Sequence, residues 1–192
     1  WWGQASGPAS GQNSGNVTSD TYLNSGTDAS PGTPGFQPSG ACIGPVHNIT
    51  QNTYYGTIQA GVDAANANDI IEVAAGTYTE AVTVNKAVTL KGANVGIAGT
   101  GVRGTESILE DGSMNITASG AVTIDGFKIH QTNNTTDVFL ISGATAATIQ
   151  NNIFERDGVT AGQFVRAITT SDGSGAKVIQ NNWFTGDVSG GL

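Results

Sequence analysis

The stretch Ala147-Thr148-Ile149-Gln150-Asn151-Asn152-Ile153-Phe154 recurs 30 residues later as Lys177-Val178-Ile179-Gln180-Asn181-Asn182-Trp183-Phe184. A degenerate copy at residues 122–129 places Ile124 25 residues before Ile149. A third copy at residues 88–92 places Leu90 a further 34 residues back. One β signature in each period of about 20 to 50 residues is the sequence pattern of a solenoid. The repeat therefore predicts coils that stack along one axis.

The segments around these copies are short, rich in Val, Ile and Thr, and divided by Gly and Asn. Such segments favour β-strands, and no second helical pattern separates them, so a βαβ fold is excluded. We expect Ile124, Ile149 and Ile179 to point inward, stacked about 4.8 Å from coil to coil. We expect Asn151 and Asn181 to form the corners, because Asn tolerates left-handed backbone angles. Asn side chains at such corners can also form hydrogen-bonded ladders.

One amphipathic helix is predicted before the repeats. Ile58, Val62 and Ala65 follow the i, i+4, i+7 spacing of a single helical face. Either Gly56 or Thr57 is suited to the N-cap position. Gly within the helix, at position 61, lowers its intrinsic stability. The helix therefore needs a hydrophobic surface to dock on, and we expect it to cap the first coil.

Composition excludes several classes of function. The 192 residues contain 7 Lys and Arg against 15 acidic residues, with a net charge of −8. The few basic residues do not cluster, so neither a nucleic-acid interface nor a basic membrane-surface helix is expected. No apolar run approaches the roughly 18 residues of a membrane span. Cys42 is the single cysteine, so an intrachain disulfide is excluded.

Residues 1–45 differ from the remainder of the chain. They are dominated by Gly, Ser, Pro, Asn and Thr, and the run Ser30-Pro31-Gly32-Thr33-Pro34-Gly35 excludes both a helix and a central strand. The segment is predicted to be extended. Its aromatic residues, Trp1 and Trp2 among them, indicate that it lies on a surface. Residues 46–192 are predicted to hold the capping helix and the coils.

Residues 46–184 resemble the right-handed parallel β-helix superfamily, the pectate-lyase-like fold. The resemblance rests on residues 57–65, on residues 69–80 and on Val88-Thr89-Leu90-Lys91-Gly92, which are similar to that superfamily's entrance. It implies an all-β, right-handed parallel β-helix with an N-terminal capping helix.

The beginning of the chain resembles a different part of the same family. Trp1-Trp2-Gly3 is similar to the ending of a β-helix, and Asn181-Asn182-Trp183-Phe184-Thr185-Gly186 is a variant of that ending. The resemblance implies that residues 1–45 leave one β-helix unit and that residues 46–192 form the next. It points to tandem modules of a large bacterial surface or secreted protein, and thus to an extracellular or cell-surface location.

Candidate catalytic residues follow from the same resemblance. Superfamily enzymes that act on acidic polysaccharides place charged residues on one exposed sheet, which singles out Asp125, Lys128 and His130. A lyase needs a base and a cation, and Lys128 and His130 share a strand face. The further candidates are Arg156, Asp157, Asp172 and Lys177. Since no second basic residue recurs at the repeat spacing, surface decoration is the favoured interpretation.

Candidate metal ligands are few. Glu110-Asp111-Gly112 is the densest acidic cluster and could bind Ca²⁺, although acidic residues before Gly are ordinary in turns. No other cofactor is expected. His47, alone before the helix, is interpreted as a loop or packing residue. Glycosylation sequons begin at Asn16, Asn48, Asn115, Asn133 and Asn134.

The sequence favours a non-catalytic structural or adhesive extracellular module that assembles end to end into a fibre or surface layer. Its expected partners are copies of itself or adjacent β-helix units, and surface polysaccharide. We expect residues 1–45 to pack against a β-helix, in the same or a neighbouring chain, with Trp1 and Trp2 buried. Two alternatives stay open. One is a fragment of a polysaccharide lyase, epimerase or hydrolase, and the other is a carbohydrate-binding module that uses Tyr54, Tyr55, Trp183 and Phe184.

Overall fold

The computed structural model describes residues 44–132, 139–142, 146–157, 166–171 and 175–186. The chain divides into a unit of Trp1–Gly44 and a unit of Pro45–Leu192, and nearly all described residues belong to the second. The expectations for residues 1–45, including Trp1, Trp2 and Cys42, concern residues that lie almost entirely outside the described ranges. They stay predictions.

The described elements are short strands and one helix. In chain order they are β1 (Val46–Asn48), β2 (Thr53–Tyr55), α1 (Ile58–Ala64), β3 (Ile70–Val73), β4 (Gly76–Tyr78), β5 (Ala81–Val84), β6 (Thr89–Lys91), β7 (Ser107–Glu110), β8 (Ser113–Ile116), β9 (Ala121–Asp125), β10 (Lys128–Gln131), β11 (Phe139–Ile141), β12 (Ala146–Gln150), β13 (Ile153–Arg156), β14 (Ile168–Thr170), β15 (Lys177–Gln180) and β16 (Trp183–Gly186).

These strands form three sheets. The first has the order β15-β12-β9-β6-β3-β1-β2, the second β16-β13-β10-β7-β4, and the third β14-β11-β8-β5. Neighbouring strands are parallel, except that β1 is antiparallel to both β2 and β3. Each complete coil, such as β6–β8 or β9–β11, gives one strand to each sheet. The fold is therefore an all-β parallel β-helix with a capping helix, as predicted.

The predicted register of the first sheet is confirmed. Leu90 pairs with Ile124, Ile124 with Ile149, and Ile149 with Ile179. Ile124 and Ile149 are fully buried, whereas 47% of Ile179 is exposed. Ile179 therefore occupies the predicted position in the stack, but its exposure contradicts the expectation that it faces a covered interior. Its strand, β15, lies at the edge of the sheet, and no described coil covers its outer side.

The corner after the first sheet has the predicted left-handed backbone. Asn151 and Asn181 have φ angles of 56° and 55°. The hydrogen-bonded ladder is formed by the next residues in the chain, Asn152 and Asn182, because their side chains point along the stack. Asn182 Oδ1 accepts from the backbone and side-chain nitrogens of Asn152, at 2.9 and 3.1 Å. Successive coils are thus bonded through buried amides as well as through the strand backbones.

The helix α1 caps the first coil as expected. Thr57 is the N-cap, and its hydroxyl accepts from the Ala60 amide at 3.1 Å. Ile58, Val62 and Ala65 are buried. A Cβ on Gly61 would lie 2.9 Å from Val46 Cγ1. Gly at this position therefore allows the close approach of the helix to β1, which compensates for its low helix propensity.

The antiparallel hairpin of β1 and β2 was not predicted. It pairs with β3 and so closes the N-terminal edge of the first sheet. The His47 and Tyr54 rings stack on it, with centroids 4.0 Å apart. Two strands of three residues that belong to no repeat give too weak a pattern to be read from sequence.

Three side chains, two beside β5 and one on α1, bind α1 to the first coil. The Glu80 carboxylate accepts from the Ile58 and Gln59 amides at the helix N-terminus, at 2.9 and 3.0 Å. The Gln59 side chain bonds to both the N–H and the carbonyl of Thr83. Lys86 donates to the Asp63 and Ala65 carbonyls at the helix C-terminus. The negative charge of Glu80 lies at the positive N-terminal end of the helix dipole, and the positive charge of Lys86 lies at its negative C-terminal end. Gln59 supplies hydrogen-bond partners for backbone groups on the outer edge of β5.

We expect Glu80→Ala to destabilise the chain by about 1–2 kcal/mol, because it removes a charged acceptor from two N-terminal helix amides. Urea unfolding followed by circular dichroism measures the change. Glu72→Ala is the matched control, since Glu72 is half-exposed and lies 3.7 Å from Lys91 in a surface pair. It should change stability by less than about 0.5 kcal/mol. Equal effects of the two substitutions would contradict the capping role.

A long loop runs along the corner of the coils. We call residues 92–106, between β6 and β7, the corner strap. The Gly96 amide donates to Asp125 Oδ1 at 3.0 Å, and the Gly99 amide donates to the Asn181 carbonyl at 2.8 Å. A Cβ on Gly99 would lie 2.5 Å from the Asn152 carbonyl oxygen, so a larger residue would push the strap away. The strap therefore contacts the β9–β11, β12–β14 and β15–β16 coils.

Arg103 holds the corner strap in place. Its guanidinium forms two bonds with the Glu106 carboxylate, at 2.7 and 2.9 Å. It also donates to the carbonyls of Ile97 and Asn151, at 2.7 and 2.6 Å, and to that of Phe127 at 3.4 Å. Only 5% of the Arg103 side chain is exposed. Arg103 thus joins the strap to the β9–β11 and β12–β14 coils.

Candidate functional site

The outer face of the second sheet carries a row of charged side chains. Glu110, His130 and Glu155 occupy one register position on β7, β10 and β13. Strand side chains alternate between faces, so the inward neighbours are Leu109, Ile129 and Phe154, all of which are buried. Lys128 lies two residues before His130 and therefore shares its face. With Asp157, which follows β13, these residues form what we call the histidine cluster: Glu110, Lys128, His130, Glu155 and Asp157.

Both ring nitrogens of His130 contact carboxylates. Nδ1 lies 2.9 Å from Glu110 Oε2, and Nε2 lies 3.1 Å from Asp157 Oδ2. Nε2 is also 3.8 Å from Glu155 Oε2. The Lys128 ammonium lies 2.5 Å from the same Glu155 oxygen. The histidine thus bridges three coils through side-chain contacts.

The surroundings of His130 favour its charged form. Burial lowers the pKa of His130, but its hydrogen bonds to Glu110 and Asp157 and the charges of Glu110 and Glu155 outweigh burial, so the pKa is raised above its ordinary value. A general base needs a free lone pair at working pH. An imidazolium that donates from both nitrogens has none, which makes His130 a poor base while the cluster is intact.

The structure separates Asp125 from Lys128 and His130. Asp125 lies on β9 in the first sheet and is only 6% exposed. Its carboxylate accepts from the Gly96 amide and from the side chains of Gln150 and Asn151, at 3.0, 2.7 and 2.9 Å. The proposed grouping of the three residues as one catalytic set is therefore wrong. Sequence proximity suggested it, but a corner lies between the two strands.

Glu110 and Asp111 do not face a common ion position. Glu110 bonds to His130, whereas the Asp111 carboxylate accepts from the amide and hydroxyl of Thr132, both at 2.7 Å. Asp111 has a φ angle of 49° and turns the chain out of β7. The expected pairing of these two carboxylates as a Ca²⁺ site is thus corrected. Glu110 belongs to the histidine cluster and Asp111 to a turn.

The other charged candidates have separate positions. Lys177 begins β15 in the first sheet, and Arg156 ends β13. Arg156 borders a mainly apolar cavity of about 180 Å³ at the β15–β16 end of the core, lined also by Phe154, Phe184 and Gln131. Asp172 lies outside the described residues. Of the three candidates within the described ranges, Asp157 is the one that joins the histidine cluster.

The aromatic candidates do not form one binding face. Tyr54 stacks on His47 at the N-terminal hairpin, and the His47 ring also lies 3.3 Å from Asn52 Oδ1, in agreement with a packing role. Phe184 stacks on Phe154 with centroids 4.9 Å apart, so it ends the inner stack of the second sheet. Trp183 faces outward and is 44% exposed. The four aromatic candidates therefore lie at opposite ends of the described coils.

Two of the sequons can be placed. Asn48 is fully buried, and its amide donates to Asp69 Oδ2 at 2.8 Å, so it is not accessible to glycosylation. Asn115 lies on β8, where its side-chain oxygen accepts from Ser142 at 3.3 Å. The sequons at Asn16, Asn133 and Asn134 fall outside the described residues.

Sequence reasoning missed Glu155, although the repeat contains the signal. Aligning Ile124 with Ile149 also aligns Ile129 with Phe154, and hence His130 with Glu155. Arg103 and Glu106 were missed as well, and no local pattern marks them. Their role depends on where the corner strap lies against distant coils.

Comparisons with protein-family models, with curated proteins and with solved structures found no match. Within the described ranges, no helix is long and apolar enough to span a membrane. The fold itself assigns the chain to a class: a parallel β-solenoid whose first coil is capped by a helix and a hairpin.

Proposed function

We propose that this chain is a non-catalytic structural module of an extracellular or cell-surface β-helix protein of the pectate-lyase-like superfamily. In this role the coils form a stiff rod, and the rod is extended by pairing with another β-helix unit. The observation that carries the proposal is the edge formed by β14, β15 and β16, which we call the open edge because no strand in the described part of the chain pairs with its outer side.

The open edge presents core residues to solvent. Ile179 and Phe184 are 47% and 52% exposed, while their register partners Ile149 and Phe154 are buried. Each strand also offers a row of backbone groups on its outer side. A further coil in register would bury both side chains and pair those groups, which favours association.

At the opposite end of the coils, β3 of the first sheet and β5 of the third sheet are covered. The hairpin of β1 and β2 completes the first sheet, and α1 covers β5, where Gln59 bonds to the Thr83 backbone. Parallel strand addition is therefore favoured at the β14–β16 edge. Extension of the rod would have a direction, which is suited to joining units in a fixed order.

Side-chain ladders support the rod-like role. Gln180 donates to Gln150 at 2.8 Å, and Gln150 donates to Asp125 at 2.7 Å, so one row of hydrogen bonds runs along the stack. The Asn152–Asn182 ladder runs parallel to it at the corner. Such ladders link successive coils and stiffen the stack.

We expect the isolated chain to self-associate through the open edge, because a second copy is the β-helix unit available to it. Analytical ultracentrifugation over a hundredfold concentration range measures this. Phe184→Asp should reduce the apparent association constant at least tenfold by placing a charge in the contact. Val102→Asp is the matched control, since Val102 is 98% exposed and lies in the corner strap.

Unchanged association of Phe184→Asp, or equal effects of the two substitutions, would place the contact elsewhere. A strictly monomeric wild-type chain at all concentrations would count against assembly at this edge. Circular dichroism of both variants shows whether the coils stay folded.

A polysaccharide lyase is the second candidate, favoured by the position of Lys128 and His130 on one open sheet face. Its test is the ultraviolet absorbance of unsaturated products after incubation with polygalacturonate and Ca²⁺. The contacts of both His130 nitrogens with carboxylates favour the structural role over this one. If the chain forms unsaturated products and His130→Ala abolishes their formation, the lyase function would be favoured over the structural role.

A further inference from the structure

We propose that His130, Glu155 and Asp157 bind a divalent transition-metal ion, of the Zn²⁺ type, with Glu110 orienting the histidine. The site lies on the outer face of the second sheet. It does not depend on the structural role proposed above.

The distances fit one ion. One ligand atom from each of the three residues can be chosen so that all lie within 4.8 Å of one another. Ligands at about 2.0–2.2 Å from a tetrahedral zinc ion are roughly 3.3–3.6 Å apart. His130 Nε2 lies 3.1 Å from Asp157 Oδ2 and 3.8 Å from Glu155 Oε2, on either side of that spacing. The third separation, between the Glu155 and Asp157 oxygens, is within 4.8 Å, so coordination requires these two carboxylates to rotate toward a common ion.

Glu110 prepares the imidazole for coordination. Its carboxylate lies 2.9 Å from Nδ1, close enough to accept an N–H from that nitrogen when the ring is neutral. That bond fixes the tautomer in which the Nε2 lone pair points toward Asp157. A carboxylate behind a ligating histidine is a recurrent arrangement in zinc sites, because it orients the ring and raises its basicity.

The charge of the cluster favours a cation. Glu110, Glu155 and Asp157 carry three negative charges, and Lys128 carries one positive charge. Strand alternation directs Arg156, which follows Glu155, to the opposite face of β13. A divalent ion would therefore neutralise the cluster when the histidine is neutral.

The donor set selects the kind of metal. Imidazole nitrogen together with carboxylate oxygen suits Zn²⁺ and its neighbours, whereas Ca²⁺ takes oxygen ligands only. Asp157 is exposed on its outer side, with 59% of its side chain accessible. An ion has a path to the site, and solvent can complete its coordination.

Two groups compete with the metal. One is a proton on Nε2, because a histidine must be deprotonated at the nitrogen that coordinates a metal. The other is the Lys128 ammonium, which occupies Glu155 Oε2 at 2.5 Å. Affinity should consequently rise with pH as Nε2 loses its proton, and it should rise when Lys128 is neutralised.

Isothermal titration of the 192-residue chain with Zn²⁺ at pH 8 tests the proposal. We expect one equivalent to bind, with a Kd that weakens at least tenfold on lowering the pH to 6. His130→Ala should weaken binding at least 100-fold, and Asp157→Asn at least tenfold. His47→Ala is the matched control and should leave the Kd within twofold, because His47 lies at the N-terminal hairpin.

Lys128→Met should change the affinity for Zn²⁺ in the opposite direction from His130→Ala and Asp157→Asn. Removing the ammonium should tighten Zn²⁺ binding three- to tenfold, which adventitious binding to scattered surface carboxylates would not show. Circular dichroism checks that each variant is folded. Unchanged affinity in folded His130→Ala, or weaker binding in Lys128→Met, would overturn the proposal. An absence of saturable binding at millimolar Zn²⁺ would overturn it too.

Discussion

Ile149→Asp is expected to destabilise the chain by about 4 kcal/mol or more. Ile149 is fully buried and pairs with Ile124 on one side and Ile179 on the other. The substitution removes the packing of a large aliphatic side chain and places a carboxylate in the hydrophobic core. Chemical denaturation followed by circular dichroism measures the loss of stability. A variant that is already unfolded at 25 °C would also agree with the prediction.

Ile179→Asp is the control for this experiment, because it makes the same chemical change at the same register position. Ile179 is 47% exposed, so its carboxylate keeps part of its hydration. We expect a loss of less than about 1.5 kcal/mol, at protein concentrations where the chain is monomeric. Similar losses of stability at both positions would contradict the difference in burial between Ile149 and Ile179.

Arg103→Ala is expected to cost about 3–5 kcal/mol. The substitution leaves the largely buried Glu106 carboxylate without its charged partner, and it removes donors from the carbonyls of Ile97 and Asn151. Breaking a buried ion pair by removing one member is costly, since the remaining charge stays desolvated. The measurement is again the free energy of unfolding.

Lys91→Ala is the comparison for Arg103→Ala. Lys91 pairs with Glu72 on the surface at 3.7 Å, and exposed pairs contribute about 0–1 kcal/mol. The double variant Arg103→Ala/Glu106→Ala should recover part of the loss, because no buried charge is left behind. A double variant that is less stable than Arg103→Ala would show that the cost does not arise from an unpaired Glu106.

The repeat made most of the fold predictable. The alignment of Leu90, Ile124, Ile149 and Ile179 determines strand register, because one inward apolar residue per coil must stack on the next. The helix was predictable for a similar reason: a single apolar face requires a surface to cover. The antiparallel hairpin and the path of the corner strap were not, since both depend on contacts between residues outside the repeat.

The histidine cluster was predictable in part. Period 2 places Lys128 and His130 on one face, and the structure agrees. The contribution of Glu155 could have been read from the repeat alignment. That of Asp157 depends on how the chain leaves β13, which no periodicity specifies. The grouping of Asp125 with Lys128 and His130 rested on its charge and its nearness in sequence. Neither property reveals whether hydrogen-bond donors surround a carboxylate.

The corner strap has a consequence for how such a protein could change during evolution. Solenoids commonly gain or lose repeats by duplication, because each coil contacts only its neighbours. Here the Gly99 amide bonds to the Asn181 carbonyl across two intervening coils. A duplicated coil inserted between them would move Asn181 away by about 4.8 Å and break that bond. The length of the strap therefore fixes the number of coils in this part of the chain, and duplication is tolerated only beyond it.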